Sequence, residues 1–279
     1  MRSGATVPRR RLARQLRELR ESASMTLEEA APELDWSPSK LSRIENAHQA
    51  VDVHAVRSML DLYDVGGDRW GELIALTREA AQRGWWRQYG LSDQCYVPLE
   101  AAAGSVRDFT VTYVPGLLQT ADYARALFAA SVTPHSPDAV EREVEVRMIR
   151  QERLTSATDP LELAAIVDEA VLHRPVGGPA VMRAQLRYLI DAAGLDTVTF
   201  QVVPSGVGAH AAMGGAFTVL NFDGLGEPDM AYVEHSMGAV HIEKAQDVAR
   251  ARLVFDRVRS VALSPAESVA LVERVAAEM

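Results

Sequence analysis

Cysteine is all but missing from this chain. The one copy, Cys95, has no internal disulfide partner and cannot build a cysteine-based zinc cluster, which fits a reducing compartment. Long apolar runs are missing too. No stretch of about 18 apolar residues exists, and the arginine-rich N-terminus has no apolar segment behind it, so neither a membrane span nor a secretory signal is expected. Catalytic signatures are equally scarce: there is no His-Glu-x-x-His, no Gly-x-Ser-x-Gly elbow and no phosphate-binding Gly-x-x-x-x-Gly-Lys loop. What is present is ordinary for a globular protein. Apolar residues make up 48% and charged residues 24%, and 279 residues suffice for two compact domains.

A surplus of positive charge is also absent, the formal net charge being −9, which by itself argues against a nucleic-acid partner. The distribution of charge argues the other way. Residues 1–20 carry Arg2, Arg9, Arg10, Arg11, Arg14, Arg17 and Arg20 against the single acid Glu18. Through residue 57 there are ten basic to eight acidic residues, a balance of +2, which leaves −11 for the remainder. A modestly basic head on an acidic body can dock on DNA by one face while the rest is repelled.

Helical periodicity runs from residue 9 to 82. Leu12, Leu16 and Leu19 give a first helix over about 9–23. Thr26 with Glu29 forms a capping-box pattern for a second helix, whose buried side is Leu27, Ala30, Ala31 and Leu34. Pro32 inside it should kink or shorten it. Ser37-Pro38 starts a third helix, serine as cap and proline in the first helical position. Val53–Tyr63 and Arg69–Gln82 read as a fourth and fifth. Gly84-Trp85-Trp86 through Pro98 breaks the periodicity, so the expected division is a DNA-binding domain over 1–83, a linker over 84–98 and a larger domain over 99–279. In the latter, helices are expected at 99–108, 120–130, 138–155, 179–193, 244–262 and 265–278. Strands are expected at 161–167, 197–203, 217–222, 230–234 and 239–242. Without a regular βαβ alternation this is an α+β domain with a mixed sheet.

The informative stretch runs from Met25 to Asn46. A helix-turn-helix needs an apolar-faced first helix, a tight turn, and a second helix able to enter the major groove. Leu41 and Ile44 point inward. Ser39, Ser42, Arg43 and Asn46 share the opposite stripe, which is small, polar and basic. Arginine offers two donors to the major-groove edge of guanine, and serine can bond to bases or phosphates. Lys40 falls in the first turn, where the helix dipole favours an acid, a mismatch that a phosphate would reverse.

Residues 12–63 resemble the Cro/repressor-type (lambda-repressor-like) helix-turn-helix of the Xre family. The resemblance is carried by Leu16, Leu19-Arg20, Thr26-Leu-Glu-Glu-Ala-Ala, and Ser37-Pro-Ser-Lys-Leu-Ser-Arg-Ile-Glu-Asn46. It implies a five-helix all-α domain, base contacts from Ser37, Ser39, Lys40, Ser42 and Arg43, and a structural ion pair between Arg20 and Glu45. Together with the stripe and the basic head, the DNA-contact set is Ser37, Ser39, Lys40, Ser42, Arg43, Asn46, Arg14, Arg17 and Thr26. Pro32 and Pro38 stand where relatives commonly carry polar residues.

Residues 96–278 resemble the regulatory domain found behind such units in actinomycete regulators of the WhiJ class. The carrying residues are Val114-Pro-Gly-Leu-Leu-Gln-Thr120 with Tyr123-Ala-Arg125, Arg147 with Arg150-Gln151, Asp168-Glu169-Ala170-Val-Leu172, Val176-Gly-Gly178, Met182 with Gln185-Leu186, and Gln201-Val-Val-Pro204. That resemblance implies an antitoxin-like or developmental role beside a small partner protein. The expected whole is a cytoplasmic, nucleoid-associated transcription regulator. It would act as a homodimer on an inverted repeat of double-stranded DNA, with no membrane association, no cofactor and no metal.

Other readings stay open for the second domain. It could sense a small molecule in an apolar pocket, or carry an enzymatic activity. His173, His210, His235 and His241 accompany Asp168, Glu169, Glu234 and Glu243, though at no common metal spacing. Asp168-Glu169 is either a capped strand-to-helix turn or a paired-carboxylate site, and Gly206–Gly215 either a loop between strands or a cofactor cradle. Trp85, Trp86 and Tyr89 either anchor a partner or pack internally.

Overall fold

The computed structural model describes residues 7–82, 84–92, 95–131, 136–222 and 227–279. Arg2, counted in the basic head, lies outside them. The chain divides into two compact units, Met1–Ala102 with Gly224–Glu227, and Ala103–Asp223 with Pro228–Met279.

The first unit is helical: α1 Val7–Ser22, α2 Leu27–Glu33, α3 Pro38–Glu45, α4 Val53–Leu62, α5 Gly67–Ala80 and, after a 3₁₀ turn at Trp85–Tyr89, α6 Tyr96–Ala102. Its core gathers Leu12 and Leu16 from α1, Ala30 and Ala31 from α2, and Leu41 and Ile44 from α3. Val56, Met59 and Leu60 from α4 and Leu73 from α5 complete it. Burying each large aliphatic chain contributes roughly 1.5–3 kcal/mol, so apolar spacing alone dictates which faces meet. α2 is short, ending at Glu33 one residue past Pro32, whose ring cannot give Glu28 O the usual amide donor.

Four helix ends in this unit close in the same way. Ser24, Asp35, Ala47 and Asp64 follow α1, α2, α3 and α4 with φ of 57°, 55°, 58° and 54°. In each, that residue's N–H and the next one reach back to the last turn: Asp35 N donates to Pro32 O at 3.0 Å and Trp36 N to Ala31 O at 2.9 Å, and Ala47 N to Ile44 O at 2.9 Å and His48 N to Arg43 O at 2.8 Å. These are left-handed caps made without glycine, where aspartate is the more tolerant substitute. The 3₁₀ turn is held differently. The Trp86 ring lies where any Cβ on Gly84 would sit, and Trp85 meets Trp86 and Tyr89 edge-on. Trp86 is buried and its two aromatic neighbours half-buried, so the trio is packed rather than displayed.

The second unit is built on a six-stranded sheet in the order β3-β2-β1-β4-β5-β6. The strands are β1 Ser105–Thr110, β2 Glu162–Asp168, β3 Val198–Val203, β4 Phe217–Asn221, β5 Met230–His235 and β6 Gly238–Ile242. β1, β2 and β3 run parallel, whereas β4, β5 and β6 are antiparallel additions, so the sheet is mixed. Around it lie α7 Ala121–Ala129, α8 Pro137–Gln151, α9 Ala170–His173, α10 Pro179–Ala192, α11 Ala245–Val261 and α12 Pro265–Glu278. The helix expected at 99–108 ends at Ala102, and β1 takes its second half. Val106 and Phe109, three apart, imitate a helical face, while the strand's charged residues have partners of their own. Asp108 accepts from Thr218 Oγ1 at 3.0 Å, and Arg107 pairs with Asp256 at 3.3 Å.

The polar residues that carry the resemblance of this domain are largely structural. Gln119 and Gln185 are wholly buried. Gln119 Nε2 donates to Val114 O at 2.6 Å, and its Oε1 accepts from Arg147 Nη1 at 2.6 Å. Gln185 accepts from Thr120 N at 2.7 Å and donates to Leu118 O at 2.6 Å. Gln151 Nε2 donates to Gln119 O at 2.7 Å, and Tyr123 Oη accepts from Val114 N at 3.1 Å. Side chains from three helices thus satisfy the backbone of one buried loop, 114–120, which has no ladder partner of its own.

Candidate nucleic-acid interface

α3 is oriented by what it buries. Leu41 and Ile44 face the core, 0% and 2% exposed, and leave Ser39, Arg43 and Asn46 exposed on the opposite side with Ser42 half-buried between them. The stripe expected from spacing is therefore a real surface of one helix. Its start is fixed by Ser37, whose hydroxyl accepts from Lys40 N at 3.2 Å, and by Pro38 in the first helical turn. No acid stands in that turn. The Lys40 ammonium lies 4.1 Å from the centre of the Trp36 ring, so a cation is held at the positive end of the helix by an aromatic face rather than by a carboxylate.

The far end of α3 is clamped from α1. Arg20 Nε donates to Glu45 Oε1 at 2.8 Å and Nη2 to Oε2 at 2.9 Å, a bidentate pair, while Nη1 donates to Met25 O at 2.6 Å in the turn after α1. The side chains are 8% and 2% exposed. The bond to Glu45 raises the Arg20 guanidinium further above its ordinary range. Tyr63 packs nearby, and burial, with the Glu45 charge, pushes its hydroxyl up to about 12. Breaking such a pair by removing one partner costs about 3–5 kcal/mol, because the other is left as an uncompensated buried charge.

The remaining expected contacts fall into three groups. Asn46 and Thr26 are engaged within the chain. Asn46 Nδ2 donates to Ser42 O at 2.7 Å, and the Thr26 hydroxyl accepts from Glu29 N at 3.2 Å and donates to Glu29 Oε2 at 2.9 Å. Arg17 is exposed and pairs with Glu21 at 2.8 Å, a surface contact worth about 0–1 kcal/mol that a phosphate can replace. Arg14 is more enclosed. It lies 3.7 Å from Glu18 and 3.0 Å from Glu227, a residue that groups with the same unit.

Two residues of this surface escape a reading by periodicity. Gln49 Oε1 accepts from Arg43 Nε at 3.2 Å, and Gln49 N donates to Arg43 O at 3.1 Å, so the loop after α3 aims the arginine. Trp36 supports Lys40. The spacing Trp36-x-x-x-Lys40 is a usable clue in the sequence, whereas a bond across the helix end to Gln49 leaves no periodic trace.

Among the described residues no three histidines and acids gather as metal ligands. His173 lies 3.8 Å from Glu169, His210 meets Phe109 edge-on, and the His241 ring lies tilted against Tyr232. Asp168 Oδ1 accepts from Ala170 N at 2.9 Å and Glu169 Oε2 from Ser205 N at 2.7 Å, the arrangement of a capped strand-to-helix turn. The Ser205 amide holds the Glu169 carboxyl below its ordinary value. Among the described residues no helix is long and apolar enough to cross a membrane.

Residues 11–73 match a helix-turn-helix domain, and residues 94–274 match a domain of unknown function (DUF5753). No curated protein and no solved structure matches the chain.

Proposed function

Because the chain belongs to the DUF5753 family and carries a helix-turn-helix domain ahead of that region, we propose that it is a sequence-specific DNA-binding transcription regulator. The observation that carries the reading is α3. Its two aliphatic anchors and the Arg20–Glu45 clamp fix a helix whose outward face is Ser39, Lys40, Ser42 and Arg43, with no acid in the first turn. A fixed helix with that face suits the major groove, where Arg43 can give two donors to guanine and Ser39 and Ser42 can reach base edges or phosphates. Ser37 and Lys40, at the positive end of the helix, suit a phosphate. Arg17, and Arg14 once it exchanges its carboxylates, add sequence-independent grip. Thr26 and Asn46 act by holding the two helix ends that border the groove.

In the proposed assembly two copies place their α3 helices in successive major grooves about 34 Å apart, on an inverted repeat. On the resemblance carried by Ser37–Asn46 and Val114–Thr120 we assign the helix-turn-helix to the Xre type and the second domain to the WhiJ class, and propose with it an antitoxin-like arrangement with a small partner protein and a non-enzymatic second domain. Footprinting of genomic DNA with the purified chain tests this. A recovered site with two-fold symmetry and half-sites one helical turn apart is expected. Protection without sequence preference would sink the reading, and a single asymmetric half-site would remove the dimer.

A further inference from the structure

The arginines of the first unit are held in two ways. Arg17 and Arg20 meet the carboxylates of Glu21 and Glu45, each at 2.8 Å, and Arg14 lies 3.0 Å from Glu227. Arg43 is held by an amide instead. Its Nε donates to Gln49 Oε1 at 3.2 Å, and its own carbonyl accepts from Gln49 N at 3.1 Å and from His48 N at 2.8 Å. Ala47, in the left-handed region with φ of 58°, turns the chain so that Gln49 returns to the residue six positions before it. Gln49 is thus tied to Arg43 by main chain and side chain at once, while the arginine itself stays exposed. The type of partner matters. An amide oxygen orients a guanidinium without cancelling its charge, whereas a carboxylate does both. The engaged atom matters too. With Nε taken, the edge left over carries Nη1 and Nη2, which make no hydrogen bond or ion pair with any described residue. Those two nitrogens offer paired N–H donors suited to O6 and N7 of guanine.

We propose that Gln49 is a specificity-determining residue: a positioning residue, outside α3, that presents the Nη1 and Nη2 edge of Arg43 to one guanine in the major groove. An arginine ordered before DNA arrives loses less rotamer freedom on binding, so the gain falls on the base that matches its fixed geometry. An arginine without that hold can swing between neighbouring bases and phosphates, and it discriminates less. Gln49 therefore acts on base choice and not on general grip, because it adds no charge of its own. This rests on the DNA-regulator reading for its target, while the hold of Gln49 on Arg43 stands apart from it.

The test uses the full chain and the DNA site recovered by footprinting, with each base pair varied in turn and affinity read by anisotropy. Arg43→Ala identifies the base pair concerned, as the position where preference for guanine disappears. Gln49→Ala should lower the guanine preference at that same base pair about fivefold or more, the size of coupling between contacting residues, and leave binding to random DNA within about twofold. Added to Arg43→Ala, it should change nothing further. Gln49→Glu keeps the acceptor, so it should retain the guanine preference while weakening binding to every sequence, because its carboxylate cancels the charge of the arginine. In the free protein, exchange of the Arg43 Nε proton with solvent, followed by NMR, should quicken in Gln49→Ala and stay slow in Gln49→Glu. A guanine preference untouched by Gln49→Ala, or lost at a different base pair, overturns the assignment, as does an equal loss on specific and random DNA. Unchanged proton exchange in Gln49→Ala overturns the hold itself. If the wild-type chain prefers no sequence, the regulator reading fails and takes the base-reading consequence with it, and proton exchange at Arg43 still decides whether Gln49 holds the arginine.

Discussion

α2 and α3, the two helices of the helix-turn-helix, share a backbone plan and differ in charge. Each begins at a hydroxyl residue that accepts an amide three positions on, Thr26 from Glu29 and Ser37 from Lys40. Each is followed by a non-glycine left-handed residue, Asp35 or Ala47. The first turn of α2 then carries Glu28 and Glu29, which complement the helix dipole, whereas the first turn of α3 carries no acid and holds Lys40 over Trp36. A dipole-matched charge is worth about 0.3–1 kcal/mol, so α3 forgoes stabilisation that its neighbour takes. The physical difference is that the positive end of α2 meets acids of its own first turn, while that of α3 meets none. At its other end α3 carries a contact α2 lacks, the Arg20–Glu45 clamp.

The clamp offers the largest way to break the comparison. Arg20→Ala should lower the stability of the helical unit by about 3–5 kcal/mol in chemical denaturation, since Glu45 is left buried and charged. Combining Arg20→Met with Glu45→Leu should restore most of it, because replacing both partners with apolar chains is commonly near neutral. If the single substitution costs no more than a surface pair, α3 is held by packing alone and the clamp is incidental. Next in size is Arg43→Ala, expected to cost about 1–3 kcal/mol on the specific DNA site, measured by anisotropy, with little change on random DNA. Equal losses on both would demote Arg43 from base reader to phosphate contact.

How much of this is legible in the sequence follows the same physical divide. Thr26 and Ser37 announce their helices because a cap is a local event between residues three apart. Leu41 and Ile44 announce the buried face of α3 because packing imposes a period. The turn at Asp35 and the end at Ala47 are silent, since a left-handed residue is visible in sequence when it is glycine and these are not. β1 mimics a helix for a related reason. A strand in the middle of a mixed sheet usually reads as a continuous apolar run, but Arg107 and Asp108 interrupt it, and their partners Asp256 and Thr218 lie more than a hundred residues away. The Gln49–Arg43 bond depends on a chain reversal that no periodicity encodes.

A smaller substitution sharpens the charge contrast directly. Ser39→Glu gives α3 the acidic first turn that α2 already has. The thermal stability of the unit should rise by about 0.3–1 kcal/mol, the value of a dipole-matched charge at an exposed site. DNA affinity should fall on specific and random sequences alike, because the new carboxylate faces phosphate. A loss of stability together with DNA affinity would mean that the exposed face of α3 has a packing role, and the electrostatic contrast would no longer describe it.

The smallest effect separates the two caps by pH. The Thr26 amide and hydroxyl both donate to the Glu29 carboxylate and hold it below its ordinary value of 4.5. A carboxyl whose folded value is depressed contributes stability that is fully present above the unfolded value and is lost as pH falls through the folded one. The α2 cap should therefore weaken only on acidification below 4.5, the ordinary Glu29 value. The Ser37 cap has no titrating partner in the same turn and should not follow. Melting temperatures of wild type, Glu29→Gln and Ser37→Ala across that range distinguish the helices. The gap between wild type and Glu29→Gln should stay constant at neutral pH and close in acid, while the gap to Ser37→Ala should persist throughout. A Glu29→Gln gap that persists undiminished in acid would mean that the α2 cap works through shape and hydrogen bonding alone. The opposite charges of the two first turns would then be unrelated to how each helix is started.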